Sequence, residues 1–355
     1  MLLRRYIILA VLRGVAGTLA AIVAITACIE VVGQLNDVGI GSYGMSEALT
    51  FVALRLPRTV FETLPAAALI GSLLALGNLA VHRELVVMRA SGISPFDLLV
   101  AVGMAGCGLV VVMVLLGESL APSLAAYASE LRTRALVEDA SVADGQSTWL
   151  KDGDRILSLR RRPGDFGYGG GVLLFELGDE QRLDKIARAD SAQIDAGNRW
   201  VLANYAETQF SSDAITSRSE RVSPQAYTLS PELLELSVVR QDLLDTPALR
   251  RYIRYLPENN LDARRYLIAY WARIASVVSV FLMTVLALPF VFGGLRSAGR
   301  GARLLFGLVV GLGYYVLGAV LVSGGEVYDI DPLVVAWAPS AALLIVALVA
   351  FARIR

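Results

Sequence analysis

Residues 96–121 read FDLLVAVGMAGCGLVVVMVLLGESLA. Only Asp97 and Glu118 carry charge, one near each end, and about 20 apolar residues in helical form cross a hydrocarbon layer of ~30 Å. Runs of the same kind lie at 6–32, 57–81, 266–293, 302–323 and 332–352. Three spans therefore precede a long polar insert and three follow it. The whole chain, 355 residues with 55% hydrophobic and a mean hydropathy of +0.59, is too apolar for an ordinary soluble domain. Charged residues are 18% and clustered, so the net charge of zero says little about partners. The first run, after Met1-Leu2-Leu3-Arg4-Arg5, is too long for a signal-peptide core and lacks a small-residue cleavage pattern, so it is read as a retained span.

The loops set an expected direction. Arg4 and Arg5, then His82, Arg83 and Arg89, then Arg296, Arg300 and Arg303, and finally Arg353 and Arg355 fall on one side. The short loop before the last span carries Glu326, Asp329 and Asp331 and no base. Basic loops stay in the cytoplasm, which puts both termini there and the insert on the far side. Arg250, Arg251, Arg254, Arg264 and Arg265 run against this trend, but the rule is weak beside long translocated domains. Their spacing among Leu, Tyr and Ile over Thr246–Tyr266 predicts a helix lying on the membrane surface.

Within the insert the pattern changes to period two. Trp149-Leu150-Lys151, the turn pair Asp152-Gly153 and Arg155–Arg160 predict a hairpin. Gly169-Gly170-Gly171 opens a strand at Val172–Leu177, and Ala187–Asp195 with Arg199–Phe210 predicts a second hairpin across Ala196-Gly197-Asn198. The predicted architecture is membrane α + β: six transmembrane helices, three plus three, with a β-jelly-roll domain between helices three and four. The boundaries are 1–121, 122–262 for the insert with its flanks, and 263–355. Its interior is either a sealed core or a groove for an acyl chain.

Familiar catalytic patterns are missing. His82 is the single histidine, so a metal site is not expected, and Cys28 and Cys107 sit inside apolar runs. There is no G-x-S-x-G elbow and no P-loop, and neither lysine, Lys151 or Lys185, follows a glycine. Arg13, Glu30 and Glu62 are near span ends, which argues against a buried proton relay. Any work this chain does takes its energy from a partner. Gly307, Gly311, Gly313 and Gly318 stripe the fifth span, with Gly307 and Gly311 the candidate helix-interface positions; the stripe is either a fixed helix contact or a seam that opens.

The loop between spans two and three reads HRELVVMRASGISP from His82 to Pro95. A short helix ended by Gly92 is expected, within a coupling segment at 82–94. Leu85 and Met88 can share an apolar face, leaving Arg83, Glu84 and Arg89 for polar contacts. Read locally, this is either a charged turn or a coupling helix that docks in a groove of a cytoplasmic ATPase, with His82, Arg83, Glu84, Leu85, Met88 and Arg89 as candidate contacts.

The stretches Leu64–Gly71 and Glu84–Gly92 resemble the lipopolysaccharide export permeases of Gram-negative inner membranes, the LptF/LptG family. So do Gly293-Gly294-Leu295-Arg296-Ser297 and Gly301, Arg303, Gly307, Gly311 and Tyr315. The Trp149–Gly153 turn and the Tyr-Leu pair before span four lean toward the G-type half. The resemblance covers essentially the whole chain. It implies an ABC transporter in which two related permeases, F-type and G-type, pair over a dimeric ATPase, LptB. Lipopolysaccharide would enter sideways from the outer leaflet between spans one and five, then pass through periplasmic jelly rolls to a bridge protein, LptA, and its single-span anchor, LptC. This chain would be non-catalytic, with no cofactor of its own, ATP being used by the partner. Arg132 matches a basic position that faces lipid phosphates, with Arg134 beside it. The G-type half carries lysines at the outer end of span one, whereas Glu30–Asp37 here holds no base. Arg55, Arg58, Arg132 or the partner subunit are left to compensate, and Tyr315 joins them as a candidate lipid contact. At ~0.8 kcal/mol per methylene, a multi-chain lipid costs tens of kcal/mol to expose to water, which a covered route avoids. The rival readings are the F-type paralogue and a membrane sensor or scaffold with a periplasmic binding domain that moves no lipid.

Overall fold

The computed structural model describes residues 2–137, 147–152, 154–160, 171–178, 182–194, 200–210, 214–225, 244–292 and 299–352. The predicted turns at Gly153, Gly169-Gly170 and Ala196-Gly197-Asn198, the stretch Gly293–Ser297, and Arg353 and Arg355 lie outside these residues. Two units are present: residues 1–139 with 264–355, and residues 140–263.

The first unit is helical. Its elements are α1 (Leu2–Gln34), α2 (Met45–Val81), α3 (Glu84–Ala90), α4 (Pro95–Leu115), α5 (Ala121–Val137), α7 (Arg264–Phe292), α8 (Arg300–Val327) and α9 (Pro332–Ala352). A π-helical turn, Leu116–Leu120, joins α4 to α5. Among the described residues, six helices are long and apolar enough to cross a membrane, as the sequence predicts. α2 is the hub, packing on α1, α5, α7 and α8, and the core gathers Ile7, Leu69, Leu73, Leu98, Met283 and Leu286.

Local chemistry sets the helix ends. Glu47 at the third position of α2 accepts from the Gly44 N–H at 2.9 Å, a carboxylate serving an otherwise unbonded donor. Ser94 accepts from the Asp97 N–H at 3.1 Å, with Pro95 opening α4. Gly92, at φ +90°, makes the left-handed turn between α3 and α4.

The third span does not stop near residue 121. The helix continues past Pro122 to Val137 through the π turn at Leu116–Leu120. Residues 122–137 thus belong to the helical unit and pack on α2.

The second unit is a curled antiparallel half-barrel. Its strands are β1 (Ser147–Asp152), β2 (Arg155–Arg160), β3 (Val172–Leu177), β4 (Leu183–Ala189), β5 (Ser191–Ile194), β6 (Trp200–Phe210) and β7 (Ile215–Gln225). The order is β1-β2-β3-β4-β6-β5, with β7 also on β6. The Trp149–Arg160 hairpin forms, with Lys151 opposite Ile156 and Asp152 opposite Arg155, so Asp152 belongs to β1 and not to the predicted turn pair. The predicted strand Ala187–Asp195 is instead split into β4 and β5, both pairing with β6. At the split, Asn204 takes φ +51° and its Nδ2 donates to Asp190 at 2.9 Å, a local irregularity that bends the sheet. A charge ladder crosses four strands: Arg155 to Glu176 at 3.0 Å, Lys185 to Glu176 at 3.1 Å, and Lys185 to Glu207 at 3.4 Å. Burial works to raise the Glu176 pKa, but Arg155 and Lys185 outweigh it and hold the carboxyl below its ordinary value.

The predicted surface helix forms as α6 (Thr246–Glu258), ending before Arg264 rather than running to Tyr266. Asp245 caps it, accepting from the Ala248 N–H at 2.8 Å. Its apolar face, Leu249, Tyr252, Tyr255 and Leu256, is buried in protein rather than offered to lipid, and the Tyr255 hydroxyl donates to the Lys151 carbonyl of β1.

Candidate functional site

The coupling segment is built on a short helix with two unlike faces. Arg83, at φ +61°, turns the chain out of α2 so that α3 starts at Glu84. Leu85 and Met88 share a face, as expected, but it is rooted in the chain's own core with Ile7, Val11 and Leu98. These two side chains anchor the helix and are not available to a docking partner. The outward face is Val86 and Val87, 48% and 66% exposed, flanked by exposed His82, Arg83 and Arg89. Arg89 also lies over the Phe292 ring at 5.8 Å.

Glu84 is only half-buried, and it has a partner that local reading does not find. The Tyr6 hydroxyl of α1 donates to Glu84 Oε2 at 2.8 Å. Two residues earlier on α1, Arg4 pairs with Asp97 at the start of α4, also at 2.8 Å. The N-terminal end of α1 is thus bonded to both ends of the segment between α2 and α4.

At the other end of α1 the candidate basic residues come together. Arg55 of α2 and Arg132 of α5 both lie against Phe51, 5.4 and 5.8 Å from its ring centroid. Arg55 pairs with Glu30 at 3.1 Å and Arg132 with Asp37 at 2.5 Å. Arg58 pairs with Glu62 at 2.8 Å, and Arg134 pairs along its own helix with Glu130. Tyr315 projects from α8, 70% exposed. The acids at 30 and 37 are therefore partners of the basic residues, a pairing invisible in a stretch scanned for bases.

Small residues set the helix approaches. Gly307 and Gly311 both face α2: a Cβ on Gly307 would lie 2.9 Å from Ile70 Cγ1, and one on Gly311 3.3 Å from Ala66 Cβ. Gly313 and Gly318 face open space. Tighter still is Gly71, where a Cβ would lie 2.4 Å from Val15 Cα; the α1 and α2 backbones touch there. Arg303, expected in an aqueous loop, is fully buried, and Gly77 makes room for its guanidinium.

α1 and α8 are the barest spans. In their most apolar windows 17% and 11% of residues are buried, against 67% in α2. Ile25, Ile29 and Val32 of α1 and Leu305, Val309, Leu312 and Val320 of α8 are exposed apolar side chains. Surfaces of this kind are satisfied by lipid or by another membrane protein.

Six membrane-length apolar helices, a short helix in the loop between the second and third, and a folded sheet inserted between the third and fourth define a multi-pass membrane protein with a sizeable extramembrane domain. Residues 5–353 match the family described as lipopolysaccharide export system permease LptF/LptG, and the chain belongs to that family. Its similarity to the lipopolysaccharide export system permease protein LptG of Haemophilus influenzae is 32% identity over 339 residues, 95% of this chain and 94% of that protein. The protein of the same name from Escherichia coli strain K12 is 32% identical over 348 residues, 98% of this chain and 96% of its own. Family and fold together mark a permease of lipopolysaccharide export, a multi-pass protein of the inner membrane that works within a complex of Lpt components.

Proposed function

We propose that this chain is the G-type permease subunit of an ATP-driven lipopolysaccharide extractor. The observation that carries the reading is the match along almost the full length to relatives named LptG. Both termini lie in the cytoplasm and the half-barrel domain in the periplasm. The chain pairs with an F-type permease, and a dimeric ATPase, LptB, seats the outward face of α3. Lipopolysaccharide enters sideways between α1 and α8, whose uncovered side chains suit acyl chains, and passes to the LptC-anchored LptA bridge. Arg55, Arg58, Arg132 and Arg134 meet its phosphates, with Tyr315 as a further lipid contact. The subunit makes no covalent change to its cargo and takes no cofactor; hydrolysis belongs to the ATPase.

Glu84→Ala is expected to abolish ATPase association or lipopolysaccharide export. Normal complex recovery together with normal export in that variant would remove the coupling role. Photo-crosslinkers along α1 and α8 are expected to capture lipopolysaccharide; a complete absence of lipid adducts would favour a membrane sensor instead. Pull-down with each labelled permease separates the G-type from the F-type assignment.

A further inference from the structure

The outer half of α1 is held by partly buried apolar contacts and by charge: Ala27 and Val31 pack against Phe51, Val52 and Ala128, and Gln34 Oε1 accepts from the Tyr43 hydroxyl at 3.1 Å. Beyond Val15 no side chain of this helix is buried. Its charged ties are Glu30 on Arg55 and, three residues past its end, Asp37 on Arg132. Neither ion pair is complete. Glu30 Oε2 and Arg132 Nε are buried and have no hydrogen-bond partner among the described residues. In one pair the Arg132 guanidinium keeps an unused donor and in the other the Glu30 carboxylate keeps an unused acceptor, so each falls short of the two parallel bonds such groups can form. A phosphate group brings more acceptor oxygens and more charge than a single carboxylate, so it can satisfy an arginine that a carboxylate satisfies only in part.

The geometry points to an exchange. In the lipid-free subunit Glu30 and Asp37 occupy Arg55 and Arg132; a phosphate-bearing lipid headgroup takes both guanidinium groups from them and frees the outer half of α1. This rests on the export reading above and adds the cargo's internal competitors. It also gives the acidic stretch at 30–37 a role. Where a base would attract phosphate directly, these acids hold the site closed until phosphate displaces them. A headgroup with two phosphates breaks both ties, whereas a headgroup with one breaks a single tie and leaves the helix pinned.

The test uses the intact complex with its ATPase in nanodiscs of neutral phospholipid, with bisphosphoryl lipid A as the probe. The double variant Glu30→Gln, Asp37→Asn is expected to bind the probe roughly tenfold more tightly, since a competitor for each guanidinium has been removed. Ion pairs with a purely structural role give the opposite sign, and equal or weaker binding at an unchanged melting temperature would overturn the exchange. Should that variant fail to assemble, spin labels carry the test on the native acids: Gly33→Cys on α1 and Leu49→Cys on α2, with Cys28→Ser and Cys107→Ser. Their separation is expected to lengthen with bisphosphoryl lipid A and to stay short with inorganic phosphate alone. No lengthening overturns the exchange, and lengthening by inorganic phosphate alone overturns its assignment to a lipid headgroup. A wild-type complex that binds no lipid A overturns the export reading itself; binding without a response to the variant overturns only the exchange.

Discussion

The two halves of α1 are fastened by different physics. The inner half buries Ile7, Val11 and Val15 and crosses α2 where Gly14 and Gly71 bring the backbones together. The outer half buries nothing fully: Ala27 and Val31 pack partly buried against Phe51, Val52 and Ala128, and Glu30 and Asp37 add ion pairs. Shape complementarity is short-ranged and all-or-none, because a close-packed seam has no intermediate spacing. Ion pairs are graded and exchangeable, because solvent, salt or another charge can replace either partner. A helix fastened in both ways has a fixed pivot at one end and a releasable end at the other.

The most severe way to break this contrast is at the crossing. Gly71→Ala sets a methyl group 2.4 Å from Val15 Cα, where only backbone can yield. A loss of about 1–3 kcal/mol, or failure to assemble, is expected in thermal melts of the purified complex. Next comes Gly307→Ala on α8, where the neighbour at 2.9 Å is a side-chain atom of Ile70 that can shift. Its expected cost is smaller, about 1 kcal/mol, and measuring both variants side by side ranks the two seams of α2.

A milder test is salt. Raising ionic strength is expected to speed amide exchange in residues 20–34 while leaving 7–16 unchanged, as read by mass spectrometry. Equal responses would erase the contrast. Away from α1, acid probes the sheet domain by the same logic. Because the Glu176 pKa lies below its ordinary value of 4.5, its contribution is fully present above that value. It is lost as pH falls through the lower folded-state value. Glu176→Gln is expected to flatten the acid limb of the melting curve. The smallest effect belongs to Gly17→Ala: nothing lies within 4 Å, so stability should hold or rise slightly.

What sequence made legible follows the range of the forces involved. The spans could be read because a bilayer imposes length and apolarity on each one separately. The β1–β2 hairpin could be read because a turn and an alternation are local. The break between β4 and β5 could not, since it depends on Asn204 of a different strand reaching Asp190. Nor could the end of span three, which a π turn carries beyond residue 121 to Val137. At the candidate site, Arg55 and Arg132 were identifiable as bases. Their acids and the shared Phe51 were not, because Asp37 and Arg132 lie far apart along the chain and meet only when α1 and α5 stand beside α2. Leu85 and Met88 were paired correctly, but periodicity gives a face without saying which way it turns.

The uninterrupted run from Pro95 to Leu136, 42 residues, also acts as a measuring rod. At 1.5 Å per residue it extends about 63 Å, while a bilayer with its headgroups is only ~40–45 Å thick. In the proposed orientation, with its first residues at the cytoplasmic surface, its far end stands clear of the lipid, and Arg132 rides near that end. A molecule lying at its normal depth cannot bring its acyl chains to that height, but its sugar-phosphate crown can reach toward it. On the proposed route, such a cargo is first read from above the membrane, before any tail has left the oil.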